Sequence, residues 1–390
     1  MKIKSTAPTR IGKLGVTVIS LCALATQVVG ATVAGAEPST GSLGSLGSVE
    51  GSVTNTGSLG SVGGSLESVG SLGFGSTMPK ALENDHPVRP VVRDDIVTSA
   101  ITAEAPTRPN AVNLTIASPG LRREVGVEVL LPHDNSVPRP TLYMLEGVDG
   151  GDGTNGWVSM GGAPAFFADK NVNVVMINGG TSSLFSDWQN DDPVLGWHKW
   201  ETFITQELPP LLQDRLHSNG INAIAGTSMG AQGAMMLAHR HPELYKGVAV
   251  FSGCYSTMDV WGRTSAQITI SSRGGDPKNI WGEPGGPEWE AHDSLLNAEN
   301  LRGKEIYVST ANGLPGGAET LQTPDLLERL VVGGGIEAVT NQCTHEFDQR
   351  LQDLDIAATV DYEPNGTHAW WYWRERFPKA WPTLSKALGV

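Results

Sequence analysis

Cysteine is scarce in this chain, with three in 390 residues. Cys22 falls in an N-terminal leader, which leaves Cys254 and Cys343 as one pair and room for one disulfide. Positive charge is also short. There are 27 Lys and Arg against 41 Asp and Glu, a net charge of −14, and the basic residues do not cluster. That excludes nucleic acid as a partner, and the acidity serves solubility. The apolar run at residues 14–29 falls short of the ~20 residues a membrane-spanning helix needs. There is no His-Glu-x-x-His zinc spacing, no phosphate loop and no dinucleotide fingerprint in the right context. The expectation is no metal and no organic cofactor.

What is present divides into three parts. Residues 1–36 begin with Lys2, Lys4, Arg10 and Lys13, continue through the apolar run, and end on Ala34-Gly35-Ala36. This is the pattern of a secretory signal peptide cleaved near Ala36, and it predicts a secreted or envelope protein. Leu21, large for the residue before a lipidated cysteine, argues against a lipid on Cys22. Residues 37–78 are dominated by irregular Gly-Ser-Leu and Gly-Ser-Val repeats. Such a tract buries too little apolar surface to offset its ordering entropy, and reads as a flexible linker. Residues 79–390 are long enough for one α/β domain, with the Pro- and charge-rich stretch 78–110 on the surface before the first strand.

Short apolar strands are expected at 114–116, 125–131, 141–145, 173–177, 221–225, 247–251, 305–309 and 357–362. Alternation along 125–131 suggests a strand near a sheet edge. Trp200, Phe203, Ile204, Leu208, Leu211 and Leu212 repeat at helical spacing, with Pro209-Pro210 a kink or break. A helical stretch begins at 325–332. Strands alternating with helices predict a doubly wound, mostly parallel sheet with helices on both faces, whose site lies at the carboxyl ends of the strands.

Between the 221–225 strand and the following helix sits Gly226-Thr227-Ser228-Met229-Gly230. Strand, Gly-x-Ser-x-Gly, helix is the nucleophile elbow of the α/β-hydrolase fold. Its serine needs a base, and the chain order in this fold is nucleophile, acid, histidine. Of nine histidines, His368 alone follows a downstream strand into a turn, Asn365-Gly366-Thr367-His368. The acid stays open at this point among Asp325, Glu328, Asp348, Asp353, Asp355 and Asp361. Two backbone N–H groups should form the oxyanion hole: Met229, after the nucleophile, and one from the Gly-rich loop near Gly147-Val148.

Several strings resemble the antigen 85 family of mycolyltransferases. They are Leu145-Glu146-Gly147 with Asn155-Gly156-Trp157, the run from Gly179-Gly180 through Ser186-Asp187-Trp188, Lys199-Trp200-Glu201-Thr202-Phe203 with Glu207-Leu208-Pro209, and Asn365-Gly366-Thr367-His368-Ala369-Trp370 with Tyr372-Trp373. The resemblance implies Ser228 as nucleophile, His368 as base and Glu328 as acid, with Asp325 as runner-up. It places the oxyanion donors on the backbones of Val148 and Met229, and the substrate contacts on Glu146, Trp157 and Trp370. It implies trehalose mycolates as substrates, envelope glycans or proteins as acceptors, and an outer mycolate layer nearby. The family's sugar loop reads Asp-Gly-Leu-Arg, whereas this chain has Glu146-Gly147-Val148-Asp149, which exchanges a cation for an acid. A carboxylesterase with the same triad, or a non-catalytic envelope or matrix binding protein, are the alternatives. The first predicts ester hydrolysis with no gain from added sugar, the second binding that survives Ser228→Ala.

Overall fold

The computed structural model describes residues 87–151 and 154–390. The leader and linker expected at 1–36 and 37–78 lie outside the described residues, as does Gly153 of the Gly-rich loop. The strands are β1 (Ala100–Arg108), β2 (Ala111–Ser118), β3 (Arg123–Leu130), β4 (Arg139–Leu145), β5 (Asn173–Ile177), β6 (Ser218–Thr227), β7 (Gly247–Phe251), β8 (Glu305–Ala311) and β9 (Thr359–Glu363). They form one nine-stranded sheet in the order β1-β2-β3-β5-β4-β6-β7-β8-β9. The pairs from β5 through β9 are parallel, and β1, β2 and β3 join antiparallel on one side. This is the mostly parallel α/β-hydrolase sheet that the alternation of strands and helices predicts.

Two differences concern the antiparallel side. β1 occupies part of the stretch expected to lie ahead of the first strand. Its middle is solvent-exposed and carries Pro106, so it lacks the apolar alternation that marks a strand in sequence. β3 is not close to the edge, because β2 pairs on one side and β5 on the other. Its polar position Glu128 is covered by Arg108 of β1, whose Nη2 lies 3.0 Å away. A charged residue read as solvent-facing is thus capped by a strand that the pattern did not announce.

Six helices are used below: α1 (Gly156–Ser159), α2 (Leu208–Arg215), α3 (Met229–Arg240), α4 (Val260–Ser271), α5 (Gly334–Asp353) and α6 (Trp370–Leu388). Residues 200–202 begin the helix expected around Trp200. The regular α-helix is interrupted just ahead of the prolines. It widens through a π-turn at Phe203–Glu207, and α2 follows directly with Pro209 and Pro210 among its first residues.

Alternation along the strands feeds two cores. Tyr143, Leu145, Val175, Ile177, Ile224, Val248 and Val250 pack toward α3. Leu142, Met144, Val174, Met176, Ala223, Ala249 and Phe251 pack on the other face toward α6. α3 is buried along nearly its whole length and is rich in Ala and Gly, which lets it lie close to the sheet. α6 presents Trp373, Phe377, Ala380, Leu384 and Leu388 as a buried stripe. Cys254 and Cys343 form the expected disulfide, joining the segment after β7 to α5. Among the described residues no helix is long and apolar enough to cross a membrane.

Candidate active site

The elbow is built by two glycines. A Cβ on Gly226 would overlap the Gly230 carbonyl, and a Cβ on Gly230 would overlap the backbone oxygen of Glu146. Both clashes are with backbone, which cannot swing aside. Only glycine lets β6, α3 and the end of β4 meet this closely. Between them Ser228 takes φ 54° and ψ −121°, a conformation L side chains rarely adopt. Its N–H donates to the Phe251 carbonyl at 2.8 Å, which holds the strained turn against β7.

That turn aims the hydroxyl at His368. Ser228 Oγ lies 2.7 Å from His368 Nε2. The other ring nitrogen, Nδ1, lies 2.9 Å from Glu337 Oε2. The carboxylate expected there was Glu328, and the structure corrects this. Glu328 ends the short helical segment Leu326–Glu328, and Asp325 is the residue before it. A π-turn at Arg329–Gly333 follows, and α5 begins at Gly334. Just before α5 the chain touches His368 itself at Gly333, whose carbonyl accepts from the His368 N–H at 3.1 Å. Glu328 lies nine residues before Glu337, about 13 Å back along a helix axis.

Glu337 is 1% exposed and fully engaged. Its Oε1 accepts from Ser252 Oγ at 2.8 Å, the Ala311 N–H at 2.6 Å and Thr310 Oγ1 at 3.3 Å. Trp373 Nε1 donates to Ser252 Oγ at 3.0 Å, and the Trp373 ring stands edge-on to His368, 4.9 Å between centroids. Strand ends β7 and β8 and helix α6 thus fix the carboxylate that fixes the imidazole. Ser252 and Glu337 were missed by sequence reasoning. A signal existed for the second: Glu337 falls on the buried stripe of α5, with Thr340, Thr344, Phe347 and Leu351.

The Gly-rich loop after β4 covers the elbow. A Cβ on Gly147 would sit 3.7 Å from that of Ser228, so the loop passes beside the nucleophile. The Val148 carbonyl accepts from the Ser182 N–H at 2.8 Å, and the Asp149 carbonyl from Thr181 Oγ1 at 2.9 Å. Met229 opens α3, where the first N–H groups have no intrahelical acceptor. Asp149, the acid in place of the family's arginine, pairs with Arg273 just beyond α4 at 2.6 Å. The loop's new negative charge is therefore met by a guanidinium that is itself 3% exposed.

The three expected substrate residues fall differently. Trp157 is 0% exposed, stacked edge-on against Phe251, Trp370 and Phe377, with its Nε1 donating to the Leu145 carbonyl at 3.0 Å. It is a core residue with no face left for a substrate. Glu146 is also buried, and accepts from the N–H groups of Gly156 and Trp157 at the start of α1. Its carboxylate shapes the loop from within. Trp370 is half-buried and lies over Gly156, where a Cβ would strike its ring.

Burial pushes the Glu146 carboxyl up to about 7, against the opposing pull of the Gly156, Trp157 and Gly147 N–H groups. The sign of its pH effect follows. From the ordinary 4.5 up to about 7 the folded protein holds a proton that the unfolded chain releases, so this group's stabilisation is full below 4.5 and is lost as pH rises to 7. Glu146→Gln keeps an acceptor oxygen and removes the titration. Thermal melts from pH 5 to pH 8 should show the variant gaining on the wild type with rising pH, by up to roughly 3 kcal/mol. A constant difference across that range would show that Glu146 does not titrate there.

The esterase family model matches residues 118–384. The diacylglycerol acyltransferase/mycolyltransferase Ag85A of Mycobacterium tuberculosis is 31% identical over 311 residues, covering 75% of this chain and 87% of that protein. Ag85B of Mycolicibacterium smegmatis is 30% identical over 315 residues, covering 75% and 91%. Among solved structures, Mycobacterium tuberculosis MPT51 (FbpC1) superposes with a TM-score of 0.61 at 22% identity, covering 73% of this chain and 99% of that one. An S-formylglutathione hydrolase from Agrobacterium tumefaciens does so at 0.54 and 17%, covering 74% and 99%. These two likenesses speak to the fold alone. With an esterase match across most of the chain and relatives above 30% identity, the protein belongs to the antigen 85 family of serine-esterase-type acyltransferases.

Proposed function

We propose that this protein is an exported acyltransferase that moves a mycolyl group from trehalose monomycolate to a hydroxyl acceptor. The acceptor is a second trehalose monomycolate, arabinogalactan or another envelope hydroxyl. The observation that carries the reading is the unbroken chain Ser228 Oγ to His368 Nε2 to Glu337, at 2.7 and 2.9 Å, inside a strained elbow. His368 takes the Ser228 proton as Oγ attacks the ester carbonyl, and Glu337 stabilises the imidazolium. The tetrahedral oxyanion is received by the backbone N–H groups of Val148 and Met229. Collapse breaks the bond to the trehalose oxygen, which leaves with the proton from His368, and an acyl-Ser228 ester remains. An acceptor hydroxyl then gives its proton to His368 and attacks that ester, which returns free Ser228 and the new acyl sugar. Trp370 walls the donor sugar, and the Glu146 cap on α1 holds the loop that carries Val148.

The test is intact-mass spectrometry and product analysis of the full mature protein with trehalose monomycolate, with and without added trehalose or arabinan. The expected result is a mycolyl-sized adduct and acylated acceptor, with turnover rising as acceptor is added. Release of free mycolic acid at a rate indifferent to acceptor would establish a carboxylesterase instead. No adduct and no turnover would favour a binding protein.

A further inference from the structure

An open cavity of about 530 Å³ lies beside the histidine loop, between the 315–317 segment after β8, the end of β9 and the first turns of α6. Its volume falls within the range of small-ligand sites, about 300–1,000 Å³. Three features of the lining define what it suits. Trp371 is 46% exposed, the only exposed large aromatic among the described residues, and it packs edge-on against Tyr372 at 5.0 Å. Nearly half of the residue's surface is open to solvent at the cavity. Arg376 is 3% exposed yet opens on the cavity, and its ion pair with Glu363 spans 3.6 Å. That is longer than the ~2.7–2.9 Å of a charge-assisted hydrogen bond, so the guanidinium retains donor capacity. The charges lining the cavity balance: Glu363 and Glu375 against Arg376 and Lys379, with Lys379 bonded to Glu363 at 2.5 Å.

A wall with no net charge selects neither anions nor cations. Donors, acceptors and an aromatic plate together match a neutral polyhydroxylated ligand, whose C–H face lies on the ring and whose hydroxyls meet the polar groups. The place of the cavity matters as much as its chemistry. Asn365, on its rim, is three residues before His368 in the same turn, and that turn is pinned to the 313–314 segment by hydrogen bonds of 2.9 and 2.7 Å at Gly366.

We infer that this cavity is a subsite for the neutral glycan that accepts the acyl group, with Trp371 as its platform and Arg376 as its buried donor. The inference rests on the acyl-transfer reading above. It separates the two sugars of the reaction: the donor leaves beside Trp370, and the acceptor chain is held along the outer flank of the histidine turn.

Two measurements on the full mature protein test it. The first titrates a synthetic arabinofuranosyl hexasaccharide into Ser228→Ala protein, with and without Trp371→Ala, by calorimetry. Binding should weaken at least about tenfold when the indole is removed. The second measures transfer kinetics in the catalytically intact background. Trp371→Ala should raise the acceptor KM about tenfold and leave the rate of acyl-enzyme formation unchanged. An unchanged melting temperature shows that Trp371→Ala is folded, as its exposure predicts. If the variant acylates normally and its acceptor KM does not move, the subsite is wrong while acyl transfer stands. If the wild type never acylates, the transfer reading is wrong, and the titration decides the subsite alone. Tenfold loss without the indole supports a glycan site, whereas equal or absent binding overturns it.

Discussion

Glu337→Gln should lower kcat about 10⁴-fold, while Glu328→Gln should leave it within about twofold of wild type. The reason lies in which way the new amide must point. Glu337 Oε1 already accepts from Ser252, Ala311 and Thr310. In the glutamine variant the carbonyl oxygen is kept there, because an NH₂ group would face three donors. The NH₂ is then turned on His368 Nδ1, which must become an acceptor. The proton moves to Nε2, where the Ser228 hydroxyl needs a base, and the base is lost without any change of packing. Ser228→Ala should cost more, about 10⁶-fold, and abolish the acyl adduct. Hydrolysis of a chromogenic ester, with melting temperatures as a folding control, checks all three. A large loss at Glu328 with little at Glu337 would reverse the assignment made from the structure.

Removing the disulfide should lower stability by up to about 4.6 kcal/mol, the most that closing an 89-residue separation accounts for in the chain-entropy picture. For a domain of this size that is a fall of up to roughly 7 °C in melting temperature for Cys254→Ser/Cys343→Ser against the oxidised wild type. Its position adds a local effect. Cys254 is two residues past Ser252, and Cys343 six residues past Glu337. The covalent bond thus closes a small circuit whose other closure is the Ser252–Glu337 hydrogen bond. With the bond gone, α5 can drift from the end of β7, and the carboxylate with it. Activity of the double variant should therefore fall at temperatures below its own melting transition. Equal melting temperatures in the two proteins would show that the native packing alone confines the chain.

The elbow and His368 were legible in the sequence because both are local objects. A glycine-flanked serine between an apolar strand and a helix, and a histidine just past the next-to-last turn of the chain, are written in a few adjacent residues. The acid was not legible. It comes from α5, and which turn of that helix meets His368 depends on where Gly333 touches the histidine loop, a tertiary fact. Nine residues separate the expected carboxylate from the observed one, and both lie in helical sequence. Trp157 misled for a related reason. An indole beside a predicted sugar loop reads the same whether its face is open or, as here, enclosed by Phe251, Trp370 and Phe377. β1 escaped notice because a strand exposed on both sides has no apolar pattern to show. α6 went unremarked as well: Pro378 and Pro382 sit inside it, and sequence rules treat internal prolines as breaks.

β1 has one more consequence. An open sheet ends in unpaired backbone groups, and a protein that meets its own copies at high local concentration risks joining them edge to edge. β1 offers a poor template for that. Pro106 has no N–H to give, and the register slips between Ile101 and Ala103 and again between Pro106 and Arg108. Glu104 of the same strand is held by Arg215 at the end of α2, which sets a charge on this margin. At the opposite margin β9 is five residues long, and its Asp361 and Glu363 are both bridged to Lys379. Each margin is interrupted or charged where a straight, apolar one would invite fibres, so the sheet stops growing at nine strands.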